Sequence, residues 1–224
     1  CGSVENIMKP KKMFVETGYW KNELLRIGTY FTDNDIKVGG NLKSDYKIES
    51  EVKELVKGNK EDDLIRILIP YEGVAPKDEL FGYISKLLSF PNVEIIFKMR
   101  VDRSLDAQAK EYGIKDKHDR IMLINDLKGV TDFDIVAGTC STFLHEMVLK
   151  LKPVAVFKTS LDYGEGLIIN GLADEIDIRD VNFYSTIKKI KNTDFNILEK
   201  RCDKLFGNTV PLAFTLDKIM SNYE

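Results

Sequence analysis

From Leu64 onward the sequence repeats one pattern: a short, mostly apolar run, a turn, and about ten residues with helical spacing. The runs are LIRILIP (64–70), VEIIFKM (93–99), RIMLI (120–124), FDIVA (133–137) and PVAVF (153–157), with a sixth short one near 175–178. Runs this short and continuous suit strands buried on both faces, and the helices between them supply the crossovers that parallel neighbours need. One helix is expected over Lys77–Leu88, with Leu80, Ile84, Leu87 and Leu88 on its apolar stripe, and another over Leu105–Tyr112, closed by Gly113. The pattern predicts an α/β fold: a doubly wound parallel sheet covered on both sides.

Outside this stretch the rhythm changes. After Asp180 it becomes helical, with expected helices at 181–190, 195–206 and 212–223, so the fold acquires a helical carboxyl-terminal tail. Before Leu64 come a short strand at Met13–Glu16, an amphipathic helix from Trp20 to Tyr30, and a brief strand that stops at Gly39-Gly40-Asn41. Residues 48–60 read as a charged, solvated helical connector. The expected division is therefore 1–47, then an α/β domain over 48–180, then the tail over 181–224.

Composition narrows the functional classes. With 43% hydrophobic and 31% charged residues the chain reads as soluble and globular, and a net charge of −3 argues against a dedicated nucleic-acid binder. No apolar run approaches the roughly 18 residues of a membrane span. Three scattered cysteines, Cys1, Cys140 and Cys202, make neither a disulfide framework nor a zinc site, and a reducing cytoplasm is the default expectation. Only two histidines, His118 and His145, are present, so no metal centre is expected and catalytic bases are few. Cys1-Gly2-Ser3 is compatible with a cloning scar, a trimmed fragment or a lipidated cysteine.

The stretch AGTCSTFLHEMVLKLKPVAVF (137–157) concentrates the chemistry. Gly138, Thr139, Cys140, Ser141 and Thr142 lie between a buried strand and a helix whose stripe is Phe143, Leu144, Met147, Val148 and Leu151. In an open parallel sheet this turn sits where ligands bind. The backbone N–H groups and hydroxyls of Ser141 and Thr142, at a helix N-terminus, suit a phosphate; equally, Ser and Thr are ordinary helix caps worth about 1 kcal/mol. Glu146 has Phe143, not Ser or Thr, three residues before it, so it is no capping-box partner. It suits either ribose hydroxyls or the favourable end of the helix dipole. His145 shares that polar side, where the helix N-terminus disfavours an imidazolium, and a partly exposed helix histidine is expected.

Lys98 and Arg100, at the carboxyl end of the second strand, suit donor phosphate or a surface ion pair. Pro70-Tyr71-Glu72-Gly73 leaves the first strand at the same edge, where Gly73 either lets backbone approach a ligand or makes the turn.

The order of these pieces resembles the carboxyl-terminal, donor-binding half of GT-B glycosyltransferases, particularly those of bacterial surface polysaccharide and teichoic-acid assembly, including CDP-glycerol glycerophosphotransferases. GGNLKSD (39–45) looks like the turn at which such chains cross between their two domains; IIFKMR (95–100) stands at their Lys-x-His-Pro stretch; FDIVAGTCSTFLHEMVLKLKPVAVF (133–157) is similar to their strand, Ser-rich turn, Glu-containing helix and Lys-Pro-Val strand. Arg100-Val101 replaces His-Pro, so that histidine's role is not carried over.

The resemblance implies that 1–47 is a remnant of the first domain plus the crossover. It also implies that Asp126 and Leu127 contact the base, that Glu146 binds ribose, and that Thr159–Glu165 borders the donor sugar. No cofactor is implied beyond the nucleotide-linked donor, a nucleotide-sugar or CDP-polyol, which is the substrate. The acceptor would be a glycan or a lipid-linked acceptor, with the enzyme cytoplasmic and able to associate peripherally with the inner face of a membrane. Two alternatives share the fold: a non-hydrolysing nucleotide-sugar epimerase, and a nucleotide-binding scaffold module without catalysis.

Overall fold

The structure, a computed structural model, describes residues 12–39, 63–111, 113–114, 119–127, 132–161 and 164–206. Chain packing separates two units, 1–48 with 204–224, and 49–203. In the first, β1 (Met13–Val15) and β2 (Ile36–Val38) pair in parallel, with α1 (Gly18–Arg26) between them in the chain. This helix stops before the expected Tyr30 because Gly28 takes φ +79°, a left-handed turn that ends a helix.

The second unit holds the predicted alternation. Its strands are β3 (Ile65–Pro70), β4 (Val93–Lys98), β5 (Ile121–Ile124), β6 (Ile135–Gly138), β7 (Val154–Phe157) and β8 (Asp174–Ile176). They form one six-stranded sheet in the order β5-β4-β3-β6-β7-β8, and every pair is parallel. The helices are α2 (Lys77–Leu88), α3 (Leu105–Glu111), α4 (Thr142–Leu149), α5 (Glu165–Ile169), α6 (Phe183–Lys191) and α7 (Phe195–Phe206).

Strand alternation sends side chains to two faces. Ile67, Ile69, Ile95, Phe97, Ile135, Ala137, Ala155 and Phe157 join Leu80, Tyr83, Ile84 and Leu87 of α2 and Phe183, Ile187 and Ile190 of α6 in one core. The intervening Leu68, Ile96, Val136 and Val156 are also buried, and α4 packs on β6 and β7 through Leu144, Met147 and Val148. Helices thus cover both faces, as a doubly wound sheet requires. Because α6 is built into the sheet's core, this unit extends past residue 180, the end expected for it.

Small boundary differences have local causes. β6 starts at Ile135 rather than Phe133 because Asp134 exchanges bonds with Arg66: its N–H donates to the Arg66 carbonyl and its carboxylate accepts the Arg66 N–H, both at 2.9 Å. β8 ends at Ile176 because the Asp177 carboxylate turns to accept the Arg179 N–H at 2.9 Å and pairs with its guanidinium at 2.8 Å. The expected connector helix at 48–60, the crossover turn at Gly40–Asp45 and the last helix at 212–223 lie outside the described residues. Among the described residues, no helix is long and apolar enough to cross a membrane.

One buried side chain ties α2 to the far side of the sheet. The Tyr83 hydroxyl lies 2.7 Å from the Lys158 carbonyl and 2.8 Å from the Ile176 carbonyl, and it accepts the Ile178 N–H at 3.0 Å. Its ring stacks on Phe157 at 4.4 Å, and burial pushes its pKa up to about 12. Tyr83→Phe keeps the stacking but removes the hydroxyl, leaving those backbone groups without it. The expected loss is about 1–3 kcal/mol in urea unfolding; an unchanged midpoint would show that the hydroxyl contributes nothing.

Candidate functional site

In the strand order, β3 is followed in the chain by β4 on one side, while its neighbour on the other side, β6, leads away through β7 to β8. The two connections diverge at the carboxyl ends of β3 and β6. This is the topological switch point, where open α/β sheets bind ligands. The turn singled out in the sequence, Gly138–Thr142, lies there, with α4 starting at its end.

The inner part of that turn is occupied by the chain itself. Glu72, which leaves β3 at the same edge, is only 3% exposed. Its carboxylate accepts the Thr139 N–H at 2.7 Å, the Thr139 hydroxyl at 2.6 Å, the Cys140 N–H at 3.0 Å and the Ser141 N–H at 2.8 Å. A buried carboxylate is tolerated only when its lone pairs are satisfied, and here backbone donors at the start of a helix do so. Gly138 belongs to the same arrangement. A Cβ at this position would lie 2.6 Å from Glu72 Oε1 and 3.2 Å from its Cδ. The glycine is thus accounted for by the carboxylate, not by a ligand.

Ser141 is the N-cap of α4, its Oγ accepting the Phe143 N–H at 3.2 Å. The capping alternative is therefore realised for its Oγ, and its N–H, expected to face a phosphate, faces Glu72. Thr142 opens the helix and is exposed, and its N–H has no hydrogen bond among the described residues. Glu146 is exposed one turn further on, and its carboxylate makes no bond among the described residues. Cys140 is half-buried; burial pushes its thiol pKa up, and neighbouring Glu72 adds to the rise.

The other candidates divide. Lys98 comes to this edge, its Nζ 5.3 Å from the centre of the Phe143 ring in the first turn of α4. Arg100 does not join it. Its guanidinium is exposed and paired with Asp102 at 2.9 and 2.8 Å, the ion-pair alternative. Gly73 is exposed, and a Cβ there would meet only the Tyr71 ring at 3.5 Å, so no close approach requires a glycine. Asp126 and Leu127 follow β5, the outermost strand, with β4 standing between it and β3. Two strand spacings, roughly 10 Å, separate that strand from the switch point.

Two further groups were not expected. Tyr71 donates to Glu111 at 2.9 Å, Arg103 donates to the Tyr71 hydroxyl at 2.5 Å, and Lys77 pairs with Glu111, linking the end of β3 to the start of α2 and the last residue of α3. Glu79, in the first turn of α2, accepts the Ser160 N–H at 2.8 Å and so holds the loop after β7. For Glu72 there was a signal: a carboxylate directly after a buried strand, at the edge where a Gly-Thr turn offers N–H groups. Among the described residues, no cluster of His, Cys, Asp and Glu is arranged to hold a metal ion.

Among the described residues, the groups that remain open at this turn and beside it are the Thr142 N–H, the Ser141 and Thr142 hydroxyls, the Lys98 ammonium and the Glu146 carboxylate. That set accepts an anionic group on one side and hydroxyl donors on the other.

The fold is that of a GT-B-like, Rossmann-type domain. The chain is similar to a glycotransferase of kitacinnamycin at 10% identity, covering 95% of this chain and 55% of the other with a TM-score of 0.58. It is also similar to the UDP-GlcNAc 2-epimerase from Neisseria meningitidis bound to UDP-GlcNAc, at 14% identity, 95% and 61% coverage and a TM-score of 0.53. An S. aureus MnaA–UDP co-structure gives 18% identity, 95% and 58% coverage and a TM-score of 0.52. The chain thus spans a little over half the length of these structures. No protein-family model and no curated protein matches the sequence.

Proposed function

We propose that this chain supplies the donor-binding half of a glycosyltransferase that moves a sugar or glycerol phosphate from a nucleotide-linked donor. The observation that supports this reading is a Thr142 N–H without a hydrogen bond among the described residues, at the start of the helix that carries Glu146 and beside Lys98, at the switch point of a GT-B-like sheet. In the proposal, Thr142 and Lys98 bind the outer part of the diphosphate, the hydroxyls of Ser141 and Thr142 support it, and Glu146 accepts from ribose hydroxyls. Gly138, Thr139, Cys140 and Glu72 form the floor beneath. The helix N-terminus also stabilises charge developing on the leaving nucleotide. The acceptor is a glycan or a lipid-linked acceptor of surface polysaccharide synthesis, met at the cytoplasmic face of the membrane.

A second reading is a UDP-sugar 2-epimerase, favoured by the likeness to the Neisseria structure with bound UDP-GlcNAc. Both readings need a nucleotide-linked donor at the same edge. Calorimetric titration with UDP, CDP, GDP and CMP-linked compounds tests this, and saturable binding of at least one is expected. Binding of none would remove both. Conversion of a UDP-sugar to its C2 epimer without an acceptor would select the epimerase; this chain alone is expected to transfer nothing to an acceptor, and transfer at a normal enzymatic rate would overturn its assignment as a donor-binding half. Glu146→Ala is expected to weaken nucleotide binding by about 1–3 kcal/mol, the loss of hydrogen bonds to a charged acceptor. An unchanged affinity would take Glu146 out of the site.

A further inference from the structure

We infer that Glu72 determines which phosphate this edge accepts: it is a built-in anion that favours an esterified diphosphate, as in a nucleotide-sugar, over the free nucleoside diphosphate. The inference rests on the donor-binding reading above. Three innermost N–H groups of the turn, those of Thr139, Cys140 and Ser141, are spent on this carboxylate, and a fourth, that of Phe143, is spent on Ser141 Oγ. Among the described residues of this turn and beside it, a ligand phosphate is therefore left with the outer donors, the Thr142 N–H and the Lys98 ammonium. Glu72 is a resident, not a passing rotamer, because the backbone is shaped for it: the space a Cβ at Gly138 would fill holds Glu72 Oε1.

Its charge has a selective consequence. A helix N-terminus carries about half a positive charge, which the carboxylate at that end offsets. A sugar diester of diphosphate and the free nucleoside diphosphate differ by nearly one negative charge near pH 7, since a terminal phosphate loses its second proton around pH 6. A fixed like charge nearby disfavours the extra charge: for two unit charges about 6 Å apart the effect is roughly threefold in a water-like dielectric, and larger as the effective dielectric falls. Donor and leaving product are thereby told apart at one position, and product release is assisted. Glu72 touches no substrate in this account; it is a positioning and specificity residue.

Glu72→Gln keeps the shape and removes the charge. Titration of wild type and E72Q with UDP and UDP-N-acetylglucosamine is expected to show the affinity for UDP rising relative to its sugar ester by at least threefold in the variant. At pH 5, where free UDP sheds its extra charge, the difference between the two proteins should shrink. The destabilised but charge-neutral variant Tyr83→Phe should leave the ratio where it is. A ratio unchanged in E72Q, or both affinities falling alike, would overturn the inference and leave the donor site standing. If wild type binds neither of these nor any of the CDP, GDP and CMP compounds, the donor reading fails instead. The charge claim is then decided with inorganic pyrophosphate: thermal protection of E72Q no greater than that of wild type overturns it, and greater protection supports it.

Discussion

Glu72→Ala is expected to remove about 3–5 kcal/mol of folding free energy. Four donors, three backbone N–H groups and the Thr139 hydroxyl, lose their acceptor at once. Hydrogen bonds to a charged partner contribute about 1.5–3 kcal/mol each. Water entering the vacated space recovers part of that sum, because the turn lies at a sheet edge, so the net falls below four full bonds. Glu72→Gln should lie between alanine and wild type. Its amide oxygen still serves Cys140 and Ser141, while its NH2 group faces the Thr139 N–H, donor against donor. Urea unfolding of the three proteins checks the order. A loss below about 1 kcal/mol for alanine would mean that the turn keeps its conformation without the carboxylate.

The sheet was legible because its signals are local. Each of LIRILIP, VEIIFKM and PVAVF carries its own evidence of burial, and α2 falls on its expected residues, Lys77–Leu88. The site was only half legible, for a physical reason. The turn and the helix after it are local features, whereas the group that fills the turn lies 67 residues earlier in the chain. That contact is decided by the order of strands, which puts β3 beside β6, and periodicity says nothing of strand order. Arg100 is a different case. Alternation along β4 sends it toward the ligand edge with Lys98, and there a carboxylate two residues on takes its guanidinium in a bidentate pair. Strand geometry placed the residue; local charge settled what its side chain does.

The Glu72–Gly138 pair also lets the turn be tested apart from any ligand. Gly138→Ala introduces a methyl 2.6 Å from Glu72 Oε1, 3.2 Å from its Cδ and 3.4 Å from Leu144 Cδ2. The first contact is the decisive one. A carboxylate free to move would yield readily, but this one is held by four hydrogen bonds, and moving it stretches all of them. We expect Gly138→Ala to destabilise the protein by about 2–3 kcal/mol, in the range of overpacked core sites. In the Glu72→Ala background the same methyl meets space the carboxylate has left, and of the three nearest contacts the ordinary one with Leu144, at 3.4 Å, remains. The penalty there should drop below about 1 kcal/mol. The double-mutant cycle would then report a coupling of about 1–3 kcal/mol, as expected for residues in direct contact. Additive losses would place the clash elsewhere and remove the link between the glycine and the carboxylate; the measured coupling is what decides whether one chain segment was built around the other.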